Sequence, residues 1–224
     1  NNKEYYYECI LLTADIYIEH QNNDEAISLL LKEFKKIDEV IFQKVYLEFL
    51  DKLIYLYINK RNYKVALRYI TLKEKYINEK DTISKNRFYL ELAYVYGEMN
   101  DLDKALSYFN LILQNNPDDE TKSYVLSNIT KIYIDKNEIK KSTEALNSCL
   151  AIKTNHEGEV YSEYLLARIF SLEGKNNEAI QLYDNILGNE EINNMTLNII
   201  NDYLKLLNGL KKYEQSLLVM NKIS

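Results

Sequence analysis

The chain carries an internal repeat, and this feature constrains its fold more strongly than any other. A small residue recurs six times along the 224 residues, at intervals of 37 to 40 positions. The six small residues are Ala26, Ala66, Ala105, Ser142, Ala179 and Ser216. An aromatic residue lies nine positions before each of the first five, and a larger apolar residue lies four positions after all six. This regularity predicts six copies of one structural unit.

The residue types within each copy are typical of a helical hairpin. Two antiparallel helices that cross closely need a small side chain where their backbones approach, and we assign the Ala/Ser position to this role. Polar turns containing Asn, Asp and Gly separate the two predicted helices, because these residues cap helices and tolerate left-handed backbone. Five Gly and one Pro are too few for the many tight turns of a β-sandwich or barrel. We therefore predict an all-α fold of about six helix-turn-helix repeats, or about twelve helices.

Two segments of the repeat resemble a known family. The stretch from Tyr89 to Phe109, followed by Pro117, and the stretch from Leu166 to Tyr183 are similar to tetratricopeptide repeats (TPRs). The periods exceed the family's usual length of about 34 residues, and the first, second and sixth units are degenerate. The resemblance implies a TPR-like right-handed α-solenoid, expected as a single domain over residues 1–224. Its repeats are expected at residues 7–40, 47–80, 86–119, 123–156, 160–193 and 197–224.

Charge and motifs argue against several classes of function. The formal net charge is -6, whereas coating nucleic acid or an anionic membrane needs a basic surface. No apolar run approaches the roughly 20 residues that span a bilayer. The two histidines, His20 and His156, lie in or beside predicted turns, where a surface or capping role is expected, and no phosphate loop, zinc motif or nucleophile elbow is found. We expect no enzymatic activity, no cofactor, no metal, no direct nucleic-acid binding and no membrane segment.

Two residue types bear on compartment and core. Cys9 and Cys149 match neither a disulfide framework nor a metal-binding pair, so both are predicted to be buried thiols of a cytoplasmic protein. The chain has 21 tyrosines, and most recur at or beside the position where the helices pack. We predict that at least two thirds of them belong to the core, with hydroxyls that reach the surface.

The first helices of stacked hairpins are expected to line a concave groove, and such grooves bind extended peptides or helices. Inward-facing positions of these helices are three or four residues apart, so that they share one face. At one such position, three successive repeats carry Lys131, Arg168 and Lys205, and two earlier repeats carry tyrosine. The predicted peptide-binding residues are Tyr55, Tyr94, Asn128, Lys131, Tyr164, Arg168, Asn201 and Lys205.

These side chains suit an extended peptide with an acidic group or a free C-terminus. The cations would bind its carboxylate, the side-chain amides its backbone, and the tyrosines its apolar side chains. The alternative is that the cations pair with carboxylates of the protein itself, for example Lys205 with Asp202 or Lys131 with Asp135. They would then only keep an exposed surface soluble.

Repeats lengthened in this way resemble those of the cytoplasmic peptide-pheromone receptors of Gram-positive bacteria, a group with quorum-sensing transcription factors and Rap-type regulators. The resemblance implies the ligand-sensing part of a bacterial transcriptional regulator, with an additional N-terminal domain outside this chain. Two alternatives stay open, a general protein-assembly scaffold and a Rap-like regulator of phosphotransfer. The last repeat carries apolar Leu217, Leu218 and Val219, which need to be covered, so we also expect a homo-oligomer formed through the terminal repeats.

Overall fold

A computed structural model describes residues 2–78 and 81–221. Within these ranges the chain forms twelve α-helices and no strand, which confirms the predicted all-α class. The helices are α1 (Asn2–Glu19), α2 (Asn23–Phe34), α3 (Gln43–Asn59), α4 (Tyr63–Lys73), α5 (Thr82–Glu98), α6 (Leu102–Gln114), α7 (Asp119–Asp135), α8 (Ile139–Leu150), α9 (His156–Leu172), α10 (Asn176–Asn189), α11 (Asn194–Gly209) and α12 (Tyr213–Asn221). A short 3-10 turn, Glu74–Tyr76, follows α4.

The helices form hairpins in the order that the repeat predicts. Helix α1 packs on α2, α3 on α4, α7 on α8, α9 on α10 and α11 on α12. The rings of Tyr96 in α5 and Tyr108 in α6 stack with their centroids 5.7 Å apart. Each small residue therefore lies in the second helix of a hairpin, as predicted.

Burial confirms the role of the small position. Five of its six residues have no exposed surface, and Ser216 is also buried. The larger apolar residue four positions later is buried in the first five hairpins, but Met220 in the sixth is exposed. Within the described residues, no further hairpin follows to cover Met220.

Each hairpin turn contains one residue with left-handed backbone, five positions before the small residue. The φ angle at these positions lies between 54° and 75°. The residues are Gln21, Arg61, Asn100, Asn137, Gly174 and Lys211. The N–H of the following residue donates to the carbonyl of the residue nine positions before the small one, at 2.8–2.9 Å. This bond closes the first helix in every hairpin, including the three turns that carry Gln, Arg or Lys instead of the expected Asn or Gly.

The described chain divides into two compact units. Unit 1 extends to Leu111 and unit 2 begins at Ile112, so the boundary lies within α6. The core of unit 1 is rich in aromatic rings, such as Phe34 stacked on Tyr46 with centroids 4.8 Å apart. The core of unit 2 is mainly aliphatic around one buried tyrosine stack. The extent of the predicted single domain, residues 1–224, stays a prediction.

The cysteines differ from each other in environment. Cys149 is buried in unit 2, and its Sγ lies 3.2 Å from the hydroxyl of Ser127 and 3.8 Å from that of Ser162. Cys9 is exposed, so the prediction of a second buried thiol was wrong. It lies on the side of α1 opposite the residues that enter the core, such as Leu11. Of the 21 tyrosines, 15 are buried or half-buried, which agrees with the expected two thirds.

Candidate partner-binding surface

All eight predicted binding residues lie on first helices of hairpins. Tyr55 on α3 and Tyr94 on α5 belong to unit 1. The other six belong to unit 2, on α7, α9 and α11. They are Asn128, Lys131, Tyr164, Arg168, Asn201 and Lys205. We describe the two units' surfaces separately.

In unit 2, four alternating charges form a ladder across three helices. The Arg168 guanidinium on α9 lies 2.7 Å from the Asp135 carboxylate on α7 and 3.4 Å from the Asp202 carboxylate on α11. The Lys205 ammonium lies 2.9 Å from Asp202 on the same helix. The charge ladder, Asp135–Arg168–Asp202–Lys205, thus joins α7, α9 and α11 and has a formal charge of zero.

Burial and hydrogen bonding shift the pKa values of Asp202 and of Tyr164, which contacts it. Burial alone would raise the pKa of Asp202. Hydrogen bonds from Lys205 and Tyr164, together with the charge of Arg168, outweigh burial and lower the pKa below its usual 3.8. The Tyr164 hydroxyl donates to Asp202 at 2.8 Å. Burial and this hydrogen bond raise the pKa of Tyr164 far above its usual value.

These contacts show which of the predicted binding residues of unit 2 are already paired within the protein and which are exposed. Arg168 and Lys205 are paired with carboxylates of the protein, as the alternative interpretation expected, although Asp135 binds Arg168 rather than Lys131. Tyr164 is buried. Lys131 is exposed and makes no ion pair with any residue that the structure describes.

The two asparagines differ as well. The Asn128 side-chain amide donates to the carbonyl of Tyr124 on its own helix, at 2.8 Å. Asn201 is exposed, as is Tyr124. Among the side chains of α7, α9 and α11 described above, Lys131, Asn201 and Tyr124 are therefore the ones exposed to a partner.

Unit 1 contains a buried lysine that sequence reasoning missed. The Lys73 ammonium lies 2.6 Å from the Asp51 carboxylate on α3 and 2.7 Å from the Glu91 carboxylate on α5. Burial raises the pKa of Glu91, against the attraction of Lys73. Lys73 therefore holds α3 and α5 together at the level of the two carboxylates.

Two exposed tyrosines lie beside this clamp. Tyr55 follows Asp51 by one helical turn and is 51% exposed, and Tyr94 follows Glu91 by three residues and is 43% exposed. We call Tyr55 and Tyr94 the tyrosine patch. Their shared position, eleven residues before the small one, was the signal that found them.

The residues that make these unpredicted contacts between hairpins share one position in the repeat. Lys73 lies seven positions after Ala66, and Cys149 lies seven positions after Ser142. Both residues contact the first helix of the following hairpin, Lys73 at Glu91 and Cys149 at Ser162. A charged residue at this mainly apolar position of the repeat was the sequence signal that could have found Lys73.

The described residues hold no group of three or more His, Cys, Asp or Glu side chains placed to bind a metal ion. No helix among them combines the length and the apolar character that crossing a membrane requires. His20 is exposed, and His156, also exposed, lies 2.8 Å from the Glu190 carboxylate.

Comparisons with known proteins agree with this architecture. The tetratricopeptide repeat family matches residues 87–119, in α5 and α6. The crystal structure of a tetratricopeptide repeat protein from Parabacteroides merdae is similar over 97% of this chain and 78% of its own, with a TM-score of 0.70 and 15% identity. BtubC from P. vanneervenii is similar over 90% of this chain and 88% of its own, with a TM-score of 0.65 and 11% identity. These structures confirm the predicted TPR-like fold.

A closer sequence relative is also found. The ancillary SecYEG translocon subunit of Buchnera aphidicola is 32% identical over 178 residues, which cover 77% of this chain and 88% of that protein. The chain therefore belongs to the tetratricopeptide repeat superfamily and to the family of this ancillary translocon subunit.

Proposed function

We propose that the protein is a non-enzymatic scaffold that binds a partner protein through the exposed faces of its first helices. The tyrosine patch carries this proposal. Tyr55 and Tyr94 present two large rings at equivalent positions of successive hairpins. Tyrosine is enriched where proteins bind each other, because it buries a large rigid area and retains a polar hydroxyl.

The surroundings of the patch support this function. Lys73 ties together the two helices that present the rings, so the patch loses little conformational freedom when a partner binds. In unit 2 the four charges of the ladder cancel one another. Lys131 therefore gives that surface a local positive charge, which favours a partner with an acidic side chain or a free carboxylate.

Photo-crosslinking in the producing cells tests the proposal. A benzophenone amino acid would replace Tyr55 or Tyr94, and Lys140, an exposed residue of α8, would be the control position. We expect the same partner adduct from positions 55 and 94 and none from position 140. The same adduct at all three positions, or adducts at position 140 alone, would contradict binding on the first helices.

A second candidate function follows from the sequence relative. The 32% identity to an ancillary SecYEG translocon subunit favours an accessory role at a protein-translocation channel. In that case the adduct from the tyrosine patch contains a channel subunit, which mass spectrometry identifies. An adduct that contains only proteins outside the translocon would remove this candidate and leave the general scaffold in place.

The role of ligand sensor in a bacterial transcriptional regulator, the Rap-like alternative and the cytoplasmic location stay predictions. Binding of a peptide carboxylate by Lys131, Arg168 and Lys205 also stays a prediction. The ion pairs of Arg168 and Lys205 would first have to be exchanged for contacts with the ligand.

A further inference from the structure

Neighbouring hairpins stack through fixed positions of the first helix. Two of these positions lie 17 and 10 residues before the small residue. They hold Phe49 and Leu56 in α3, and Phe88 and Val95 in α5, and all four side chains are buried. The ring of Phe49 lies 6.2 Å from that of Tyr7 in the preceding hairpin, centroid to centroid. These positions are therefore where a first helix receives the hairpin before it.

In α1 the same positions are apolar and exposed. They hold Cys9 and Ile16, and Tyr5 and Leu12 extend the row at spacings of four and three residues, which places all four on one face. Leu12 is 63% exposed and Ile16 is 55% exposed. We call Tyr5, Cys9, Leu12 and Ile16 the leading face.

The last hairpin also exposes apolar residues, at positions of the second helix that are covered by the following hairpin elsewhere in the chain. The residues one and four positions after the small one are Ile180 and Tyr183 in α10, and both are buried. Tyr183 stacks on Tyr203 of the following hairpin, with ring centroids 4.9 Å apart. In α12 the equivalent residues, Leu217 and Met220, are 60% and 52% exposed. We call Leu217, Met220 and the neighbouring Tyr213 the trailing face.

One hydrogen bond between neighbouring hairpins involves positions whose equivalents lie on the trailing face and beside the leading face. In unit 1, the hydroxyl of Tyr63 donates to the Glu98 carboxylate at 2.8 Å. Tyr63 lies three positions before the small residue of its hairpin, and Glu98 lies seven positions before the small residue of the next hairpin. The equivalent residues are Tyr213 on the trailing face and Glu19 at the end of α1. Both are exposed, and neither side chain has a hydrogen-bond partner within residues 2–78 and 81–221.

We propose that the trailing face of one copy stacks on the leading face of a second copy, so that the protein associates head to tail. This contact continues the stacking that already joins hairpins within each unit. It buries two apolar surfaces and forms a Tyr213–Glu19 hydrogen bond between copies. Since the two faces differ, the contact is heterologous and generates a ring or an open chain of copies.

Cross-linking of mixed cysteine variants tests the direction of the contact. Position 220 would face position 13, because their equivalents Tyr183 and Tyr203 stack. In a Cys9→Ser background, the Thr13→Cys and Met220→Cys proteins are treated with a short bismaleimide, separately and mixed. We expect a cross-linked dimer only in the mixture. No dimer in the mixture, or equal dimers from each variant alone, would overturn the proposal.

Sedimentation measures the strength of the contact. Ile16→Asp and Leu217→Asp place a charge in an apolar interface, so each should weaken self-association by about tenfold or more. Val40→Asp is the matched control, because Val40 is exposed in the loop before α3 and belongs to neither face. Tyr213→Phe and Glu19→Gln should each weaken association, and the double variant should be no weaker than the more severe single variant.

A wild-type protein that sediments as a monomer at every concentration would overturn the inference. So would an Ile16→Asp variant that associates as strongly as Val40→Asp. These variants leave Tyr55 and Tyr94 unchanged, so their results do not depend on the proposed function.

Discussion

Arg168 is the central side chain of the charge ladder, since it binds Asp135 in the preceding hairpin and Asp202 in the following one. The pairing between hairpins follows positions in the repeat. Arg168 and Asp202 lie eleven and fourteen residues before their small residues, and Asp15 and Lys52, which also form an ion pair, occupy the same two positions with the charges reversed. The register fixes which positions meet, and the residue types then decide the sign of each partner.

Asp202 should give unit 2 an acid-sensitive contribution to stability. Its pKa is lowered in the folded state, so the folded protein holds this proton less tightly than the unfolded chain does. The contribution is complete above the unfolded pKa of about 3.9 and is lost as the pH falls through the lower folded pKa. We expect Asp202→Asn to lower the urea midpoint at neutral pH, by a difference that shrinks as the pH falls below 4.

Glu144→Gln is the control for this pH series. Glu144 is an exposed carboxylate on α8 that forms no ion pair within the part of the chain that the structure describes. Its replacement should change the urea midpoint little at any pH. A difference between wild type and Asp202→Asn that stays constant from neutral pH to pH 3 would contradict the electrostatic origin of the effect.

The burial and the contacts of individual side chains were harder to predict than the helix faces on which they lie. The sequence placed Tyr164 and Arg168 on an inward-facing helix surface, and they do lie side by side on α9. It could not show that Tyr164 is buried beneath the Arg168–Asp202 pair, because that depends on the distance between α9 and α11. Lys73 was missed for a related reason, since its two partners come from different helices.

At the scale of helices and turns, the hairpins share one closing geometry. The left-handed residue of each turn precedes a hydrogen bond back into the first helix, whichever residue occupies the position. Side chains with a Cβ pay a steric cost in this conformation, whereas glycine does not. The turns that carry Gln21, Arg61 and Lys211 are therefore formed at a cost that the rest of the hairpin offsets.

Replacing one of these residues by glycine should stabilise the protein. For Lys211→Gly, with φ at 59°, we expect a gain of about 1 kcal/mol or slightly less in the free energy of unfolding, because glycine also gains freedom in the unfolded chain. The reverse change, Gly174→Ala at φ 75°, should destabilise by about 1 kcal/mol. Urea denaturation followed by circular dichroism measures both. A loss of stability in Lys211→Gly would contradict this account of the turn.

The helices could be predicted well because the spacing of small residues is a local property of the sequence. All six small positions, from Ala26 to Ser216, are buried in second helices as expected. The prediction that was wrong lies in the first hairpin, at Cys9, and the last hairpin departs from the burial pattern of the others at Met220. Both occupy positions that are covered by a neighbouring hairpin elsewhere in the chain, and within the described residues these two have no such neighbour.

At the scale of the whole molecule, the same hairpin serves two purposes in each unit. Its second helix supplies the small residue against which the first helix packs, and its first helix presents side chains away from that contact. Within each unit, a hairpin contacts the hairpins next to it in sequence. A partner that binds several first helices of one unit would therefore stabilise that unit as a whole.

Hydrogen exchange with and without the cross-linked partner tests the central claim most directly. The partner recovered through Tyr55 would be bound to the wild-type chain, and exchange would be followed by mass spectrometry for each helix. Binding on the first helices predicts added protection in α3 and α5, and in α7, α9 and α11 if unit 2 also binds. Protection confined to the second helices α4, α8 and α10 would contradict it.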